Sequence, residues 1–297
     1  MHCTKAILTY LLIFVLSIHC IAQVDPILIR DLKELSSEKM EGRGMGTKGH
    51  SLAQQYIIDE FEKSRVVPLS ESYKQEFAFH IRGREIKGTN IIGKIKGRTE
   101  RTIVISAHYD HLGRKKEKIY YGADDNASGV AALFYMARYF SENLPKHTII
   151  FAAFDGEELG KLGSQHFVSS TNIDNIVMNI NMDMISRNDN KEIYASGTHH
   201  YPRFKETLNK IASNHSGVTI KFGHDGSNKK EGDWTYLSDQ GPFHSQGIPY
   251  VYFGVEDHND YHKSTDIFDK IDTTFYNNVV KMILDFVKEI DQQDLRK

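Results

Sequence analysis

The stretch "TIIFAAFDGEELG", residues 148–160, decides the fold. Its first seven residues are apolar, β-branched or aromatic without alternation, which marks a strand buried on both faces. The run ends at Asp155 and Gly156, and two adjacent carboxylates, Glu157 and Glu158, follow at once. Outward from it, "NIIGKIKG", "TIVISAHYD", "IVMNINMDMI", "EIYASG" and "PYVYFG" are further short runs bounded by turn formers and predict strands. "SLAQQYIIDEFEKSR", "NASGVAALFYMARYFSEN", "YPRFKETLNKIASN" and "TFYNNVVKMILDFVKEI" carry helical periodicity. Strands separated by helices predict an α/β fold, a mostly parallel mixed sheet flanked by helices on both faces. In such sheets ligands gather at the carboxyl ends of the strands.

Three of these strands end on polar tips. "TIVISAHYDHLG" ends on His108, Tyr109 and Asp110, the opening stretch on Asp155, Glu157 and Glu158, and "IVMNINMDMIS" on Asp183. "YYGADDNASGVAAL" sets Asp124 and Asp125 just before a helix, and "DYHKSTD" supplies Tyr261, His262 and Asp266 ahead of the last one. No Arg or Lys stands beside these carboxylates to compensate them, so gathering them in one apolar pocket calls for a cation. Each has a plainer reading alone: Asp125 as a helix cap, Glu158 as a surface residue, Asp110 as a turn residue, His262 and Asp266 as a solvated pair. His111 reads as a pocket-rim or structural histidine. The convergence of all five segments at strand ends favours a metal site.

Composition narrows the function. The chain has 297 residues, 40% hydrophobic and 26% charged, with 37 Lys and Arg against 39 Asp and Glu and a net charge of -2. That balance offers no basic field for nucleic acid. "MHCTK", the apolar "AILTYLLIFVLSI" and "HCIAQ" form a signal peptide over residues 1–22, cleaved after Ala22. The apolar run is shorter than the roughly 20 residues needed to span a bilayer, so no stable membrane insertion is expected after cleavage. Export to a periplasm or the medium follows, with a lipoprotein anchored at Cys20 as the weaker alternative, His19 being unsuited to such a site. Cys3 and Cys20 both fall in this segment, leaving His and carboxylates as metal donors. Residues 23–297 show no repeat, low-complexity tract or linker and are expected to form a single catalytic domain.

"AHYDHLG", "GADDNASG", "DGEELGKLGS", "NMDMIS" and "DYHKSTD", in that order, resemble the signature blocks of the dinuclear zinc aminopeptidases of metallopeptidase family twenty-eight, the bacterial leucyl aminopeptidase type. The resemblance runs from about residue 30 to the C-terminus and includes the lead-in "LSSEKMEGRGMGTKG". It implies a zinc-dependent exopeptidase (phosphorylase/hydrolase-like) fold with two Zn2+ ions. It further implies that His108 and Asp183 hold one zinc, Glu158 and His262 the other, and that Asp125 bridges both. Glu157 matches the general base for a zinc-activated water, Tyr261 an oxyanion-stabilising hydroxyl or else a packing residue, and Asp110 an acid that orients His108; Asp266 would serve His262 likewise. The implied substrate is a peptide with a free amino terminus. Two other readings are a glutaminyl-cyclase-like acyltransferase with a single zinc, against which "DDNASG" and "GEELGKLGS" count, and a receptor-type binding domain without catalysis, against which Glu157 counts. The chain departs from the family at "YLSDQGPF", where Gln240 replaces a frequent His. "SGTHHYPRF" and "GHDGSNKKEGDWTY" are expected near the specificity pocket, and "GRKKEKIYYG" reads as a solvated connection.

Overall fold

The computed structural model describes residues 24–295 except 82, 229 and 231. The expected signal peptide, with both cysteines, lies outside the described residues. The strands are β1 (Val67–Pro68), β2 (Lys74–Ile81), β3 (Arg84–Ile95), β4 (Thr99–His108), β5 (Arg114–Lys115), β6 (Lys118–Ile119), β7 (His147–Phe154), β8 (Ile176–Met182), β9 (Glu192–Ser196), β10 (Thr219–Lys221) and β11 (Tyr250–Gly254). The helices are α1 (Pro26–Leu35), α2 (Lys48–Lys63), α3 (Gly129–Glu142), α4 (Leu162–Ser170), α5 (Arg203–Ala212), α6 (Gln240–Ser245) and α7 (Thr273–Gln292). Nine strands form one sheet in the order β1-β3-β7-β4-β8-β11-β9-β10, with β2 added on β3. Its centre, β7-β4-β8-β11, is parallel, and β3 on one side and β9 on the other join it antiparallel. The loop 113–122 carries the small β5–β6 hairpin.

Alternation along the central strands divides the core between two faces. Ile103, Ile105, Phe151, Met178, Ile180 and Phe253 point to one face, where the apolar stripes of α1, α2, α3, α5 and α7 cover them. Val104, Ile150, Ala152 and Phe154 point to the other and meet Phe167 of α4 and Phe243 of α6. Three of the helices start on a side-chain cap. Asp25 accepts from Ile27 and Leu28 ahead of α1, Thr47 from His50 in α2, and Asp272 from Thr274 and Phe275 in α7. Among the described residues no helix is long and apolar enough to cross a membrane.

The parallel centre brings the ends of β4, β7 and β8 to one edge, with His108 paired to Phe154 and Ser106 to Asn181. The loop after β11 returns to that edge with Tyr261 and His262, and the α3 N-terminus closes it from below. Gly129 permits this approach, since a Cβ there would stand 2.6 Å from the Met182 carbonyl and 2.9 Å from Ala107 Cβ.

Candidate metal centre

Asp125 is the centre of the constellation. Its Oδ1 lies 3.3 Å from His108 Nε2, which is also 3.1 Å from Asp183 Oδ1. Its Oδ2 lies 3.2 Å from His262 Nε2, which is 3.2 Å from Glu158 Oε2. The two oxygens of one buried carboxylate thus face two separate groups of donors. The five residues expected as ligands converge, and a sixth, His111, joins the second group: its Nδ1 lies 2.7 Å from Glu158 Oε1 and 3.6 Å from Asp125 Oδ2. His108, Asp125 and Asp183, and likewise His111, Asp125 and Glu158, offer donor atoms within 4.8 Å of one another. Asp125 Oδ2, Glu158 Oε1 and both ring nitrogens of His111 are buried without a hydrogen-bond partner. Unsatisfied polar atoms carry a desolvation penalty that a cation among them would remove. The donor set, imidazole and carboxylate, fits zinc.

The turn after β7 carries Glu157 and Glu158 as a unit. Asp110 accepts from the N–H of Glu157 at 3.1 Å and from that of Glu158 at 3.3 Å. The contact of Asp110 with His108 runs through its main-chain carbonyl, 3.1 Å from Nδ1, while its carboxylate stands 3.7 Å away. Asp266 accepts from the backbone N–H groups of Asp124 and Asp125, each at 3.1 Å, and so holds the Asp125 backbone rather than the His262 ring. Tyr261 stacks on His262 with ring centroids 3.9 Å apart.

Neighbouring polar residues point elsewhere. Asp155 turns away to accept from Thr89 N at 2.7 Å and to pair with His50 at 2.8 Å. Asp124 receives the N–H and hydroxyl of Ser186 and contacts His258, so the two adjacent aspartates do different work. Arg43 is fully buried beneath the site and donates at 2.8 Å to the carbonyls of Leu35, Tyr109, Tyr121 and Gly122. This buried guanidinium comes from "EGRG", far up the chain, and no spacing rule pointed to it. Gln240 is buried behind the site, where Asn181 donates to it at 3.0 Å and it donates to the Trp234 carbonyl. Asn181 continues this ladder by accepting from Ser106 at 2.7 Å.

Charge shifts follow this crowding. Burial alone would raise the Asp125 carboxyl, but His111, His108 and His262 outweigh it and hold it well below its ordinary range. Burial is likewise overcome at Glu158, held at about 2 by His111 and His262. Glu157 goes the other way: burial, with Asp183, Asp239 and Asp110 nearby, pushes it well above the usual carboxylate range despite His108. Contacts with Asp125 and Glu158 raise His262 to about 10, and Asp183 and Asp125 raise His108 against the effect of burial.

A cavity of about 250 Å³ opens over both groups of donors. Glu157 lines it beside His108, Asp125, Glu158, Asp183 and His262, and Met184, Trp234, Leu237, Tyr252 and Val255 form an apolar wall with Asp257 at its border. Of the two loops expected to shape specificity, 223–236 reaches this cavity through Trp234 and 196–204 does not.

Comparison with known proteins completes the description. A family model described as Peptidase family M28 matches residues 90–287. The chain is similar to aminopeptidase YwaD of Bacillus subtilis (strain 168), 30% identical over 167 residues, 54% of this chain and 34% of that protein. It spans about a quarter to a third of the length of the curated relatives it matches first. Among solved structures it is similar to BSAP, a zinc aminopeptidase from Bacillus subtilis, with a TM-score of 0.73 at 17% identity over 89% of this chain and 94% of that one. It is also similar to a glutaminyl cyclase of Fimbriiglobus ruber, with a TM-score of 0.76 at 20% identity over 91% and 96%. At these identities the two structures establish a shared fold.

Proposed function

Because the chain belongs to peptidase family M28, we propose that it is a zinc-dependent exopeptidase, an aminopeptidase that hydrolyses the first peptide bond of substrates with a free amino terminus. The observation that carries this reading is the pairing of Asp125 Oδ1 with His108 and Oδ2 with His262, with buried unsatisfied donors around them. Two zinc ions fit this arrangement, one held by His108, Asp125 and Asp183 and one by Asp125, Glu158 and His262. When bound they would supply Lewis acidity and lower the pKa of a water in the cavity.

The chain's own residues do the rest. Glu157 lines the cavity from the same turn as Glu158, and its raised pKa suits it to take a proton from the attacking water and pass it to the leaving amine. Tyr261, half-buried on the His262 ring, offers a hydroxyl to the oxyanion. Asp183 and Asp257 give anionic partners for a substrate ammonium, and the wall around Trp234 and Tyr252 suits an apolar first side chain. Asp110 positions the turn and His108, and Asp266 positions Asp125.

We assign this chemistry to one domain, residues 23–297, exported after removal of residues 1–22. The fold shared with glutaminyl cyclases leaves a single-zinc acyltransferase as the competing reading, and the second group of donors around Glu158 argues for two ions. Metal content of the purified mature protein by mass spectrometry, beside release of amino acids from peptides with free and blocked amino ends, separates the two. Close to two zinc ions with cleavage of free ends alone is expected. One zinc without peptide cleavage overturns the proposal.

A further inference from the structure

We infer that His111 is itself a ligand of the second metal position, through Nδ1. That position then holds two imidazoles and two carboxylates, against one imidazole and two carboxylates at the first. The inference rests on the two-ion reading above and adds a donor that this reading does not require.

A histidine kept for structure normally shows a hydrogen bond from at least one ring nitrogen. His111 is buried, and neither of its ring nitrogens has one. Its Nδ1 comes within 2.7 Å of Glu158 Oε1, yet both atoms remain without a hydrogen-bond partner, because the N–H direction and the oxygen are not aligned. Close approach without alignment is what donors show when each points at a third point rather than at the other. Asp125 Oδ2, 3.6 Å from Nδ1, is the third unsatisfied atom of the same group.

The geometry suits a shared ion. Donors about 2.1 Å from a tetrahedral zinc stand roughly 3.4 Å apart. The contacts of His262 with Asp125 and Glu158, both 3.2 Å, and that of His111 with Asp125, 3.6 Å, bracket this separation. The 2.7 Å contact has to open on loading. The rings of His111 and His262 lie 6.0 Å apart and approach different oxygens of Glu158, Nδ1 of one facing Oε1 and Nε2 of the other facing Oε2.

The backbone holds the ring in place. His111 N–H donates to the Arg43 carbonyl at 3.3 Å, and the residue forms a lone bridge with Gly44. Gly122 makes room for the imidazole: at φ +57° it has no side chain, and a Cβ there would stand 2.6 Å from the ring. The hairpin loop that begins with "HLGRKK" thereby starts from a metal donor.

The test uses the full-length mature protein loaded with Co2+. Proton NMR of the wild type should show three solvent-exchangeable imidazole N–H signals displaced by the paramagnetic ions, from His108, His262 and His111. His111→Gln should show two. Titration with zinc against a competing chelator should give two sites in the wild type, and in His111→Gln one unchanged site and one weakened at least about 10-fold. Two displaced signals in the wild type would overturn the inference whatever the variant does. A His111→Gln protein with both affinities intact would also overturn it. A wild-type chain that takes up one ion would instead overturn the two-ion reading, and this inference with it.

Discussion

At the residue scale, Asp125 and Glu157 illustrate two uses of a buried carboxylate. Asp125 is drawn into its charged form by three imidazoles, whereas Glu157 is held well above the usual carboxylate range by its buried, anionic surroundings. Glu157→Gln is therefore expected to keep both metals and lose roughly 10²- to 10⁴-fold in turnover, whereas Asp125→Asn loses metal as well. Peptide hydrolysis and metal content measured on both variants check this, and an active, metal-replete Glu157→Gln protein would refute the role. A second expectation concerns protons. In the metal-free protein His262 is raised to about 10 and His108 also lies above its ordinary value, so both are charged at neutral pH. Metal must displace these protons, and loading at pH 7 should release roughly two per chain, measured by calorimetry in buffers of different ionisation enthalpy. By the same sign, charged His262 stabilises the metal-free fold below about 6.5, and that contribution is lost as pH rises towards 10. The converging residues were legible in the sequence because parallel strands deliver their tips to one edge. His111 reads from the sequence as a pocket-rim or structural residue and no more, because the strand ends at His108 and alternation gives no direction beyond it.

At the element scale, the loops that carry the proposed ligands are tied down from behind. Arg43 joins the end of α1, the end of β4 and the loop before α3 through four carbonyls, with that of Asp125 a further 3.4 Å contact. Burial lowers its pKa to about 10, where it remains charged. Lysine has three donors on one nitrogen and cannot span these carbonyls. Arg43→Lys should destabilise the protein by about 3 kcal/mol and loosen metal binding with it, read by urea unfolding and by zinc titration; a loss below about 1 kcal/mol would show that the carbonyls find other partners. The central strands and four of the helices lie where periodicity placed them. β2 and the first half of β3 escaped notice, although Phe77, Phe79 and Ile81 alternate in "KQEFAFHI"; β2 takes its place by pairing with β3 from Lys74 to Ile81. α1 escaped as well, its stripe of Leu28, Leu32 and Leu35 being interrupted by Asp31, which is buried because Arg138 and Tyr56 satisfy it at 2.8 Å each.

At the scale of the whole molecule, the sheet is a platform whose stability and metal load are linked. Five carboxylates line the cavity, those of Asp125, Glu157, Glu158, Asp183 and Asp257, and bound cations would offset the charge that the neighbouring imidazoles leave unpaired. At a hundred-fold excess over Kd each bound ion should add about 2.7 kcal/mol, a rise in Tm on the order of 5 °C per site for a chain of this size. Scanning calorimetry with zinc and with a chelator checks this, and equal transitions would mean that the acidic cluster folds without a counterion. The loop that brings Trp234 to the cavity wall also closes on itself. Trp234 N–H donates to the His224 carbonyl at 2.6 Å, and the two rings stack 3.8 Å apart and 5° from parallel. Gln240 pins the Trp234 carbonyl to the sheet behind. A loop sealed at its neck in this way is an interchangeable cassette. With Asp225 also buried and accepting from the N–H groups of Gly197 and His199, the variable part of such a cassette lies beyond its neck, and changes there leave the tryptophan and the chemistry beneath it in register.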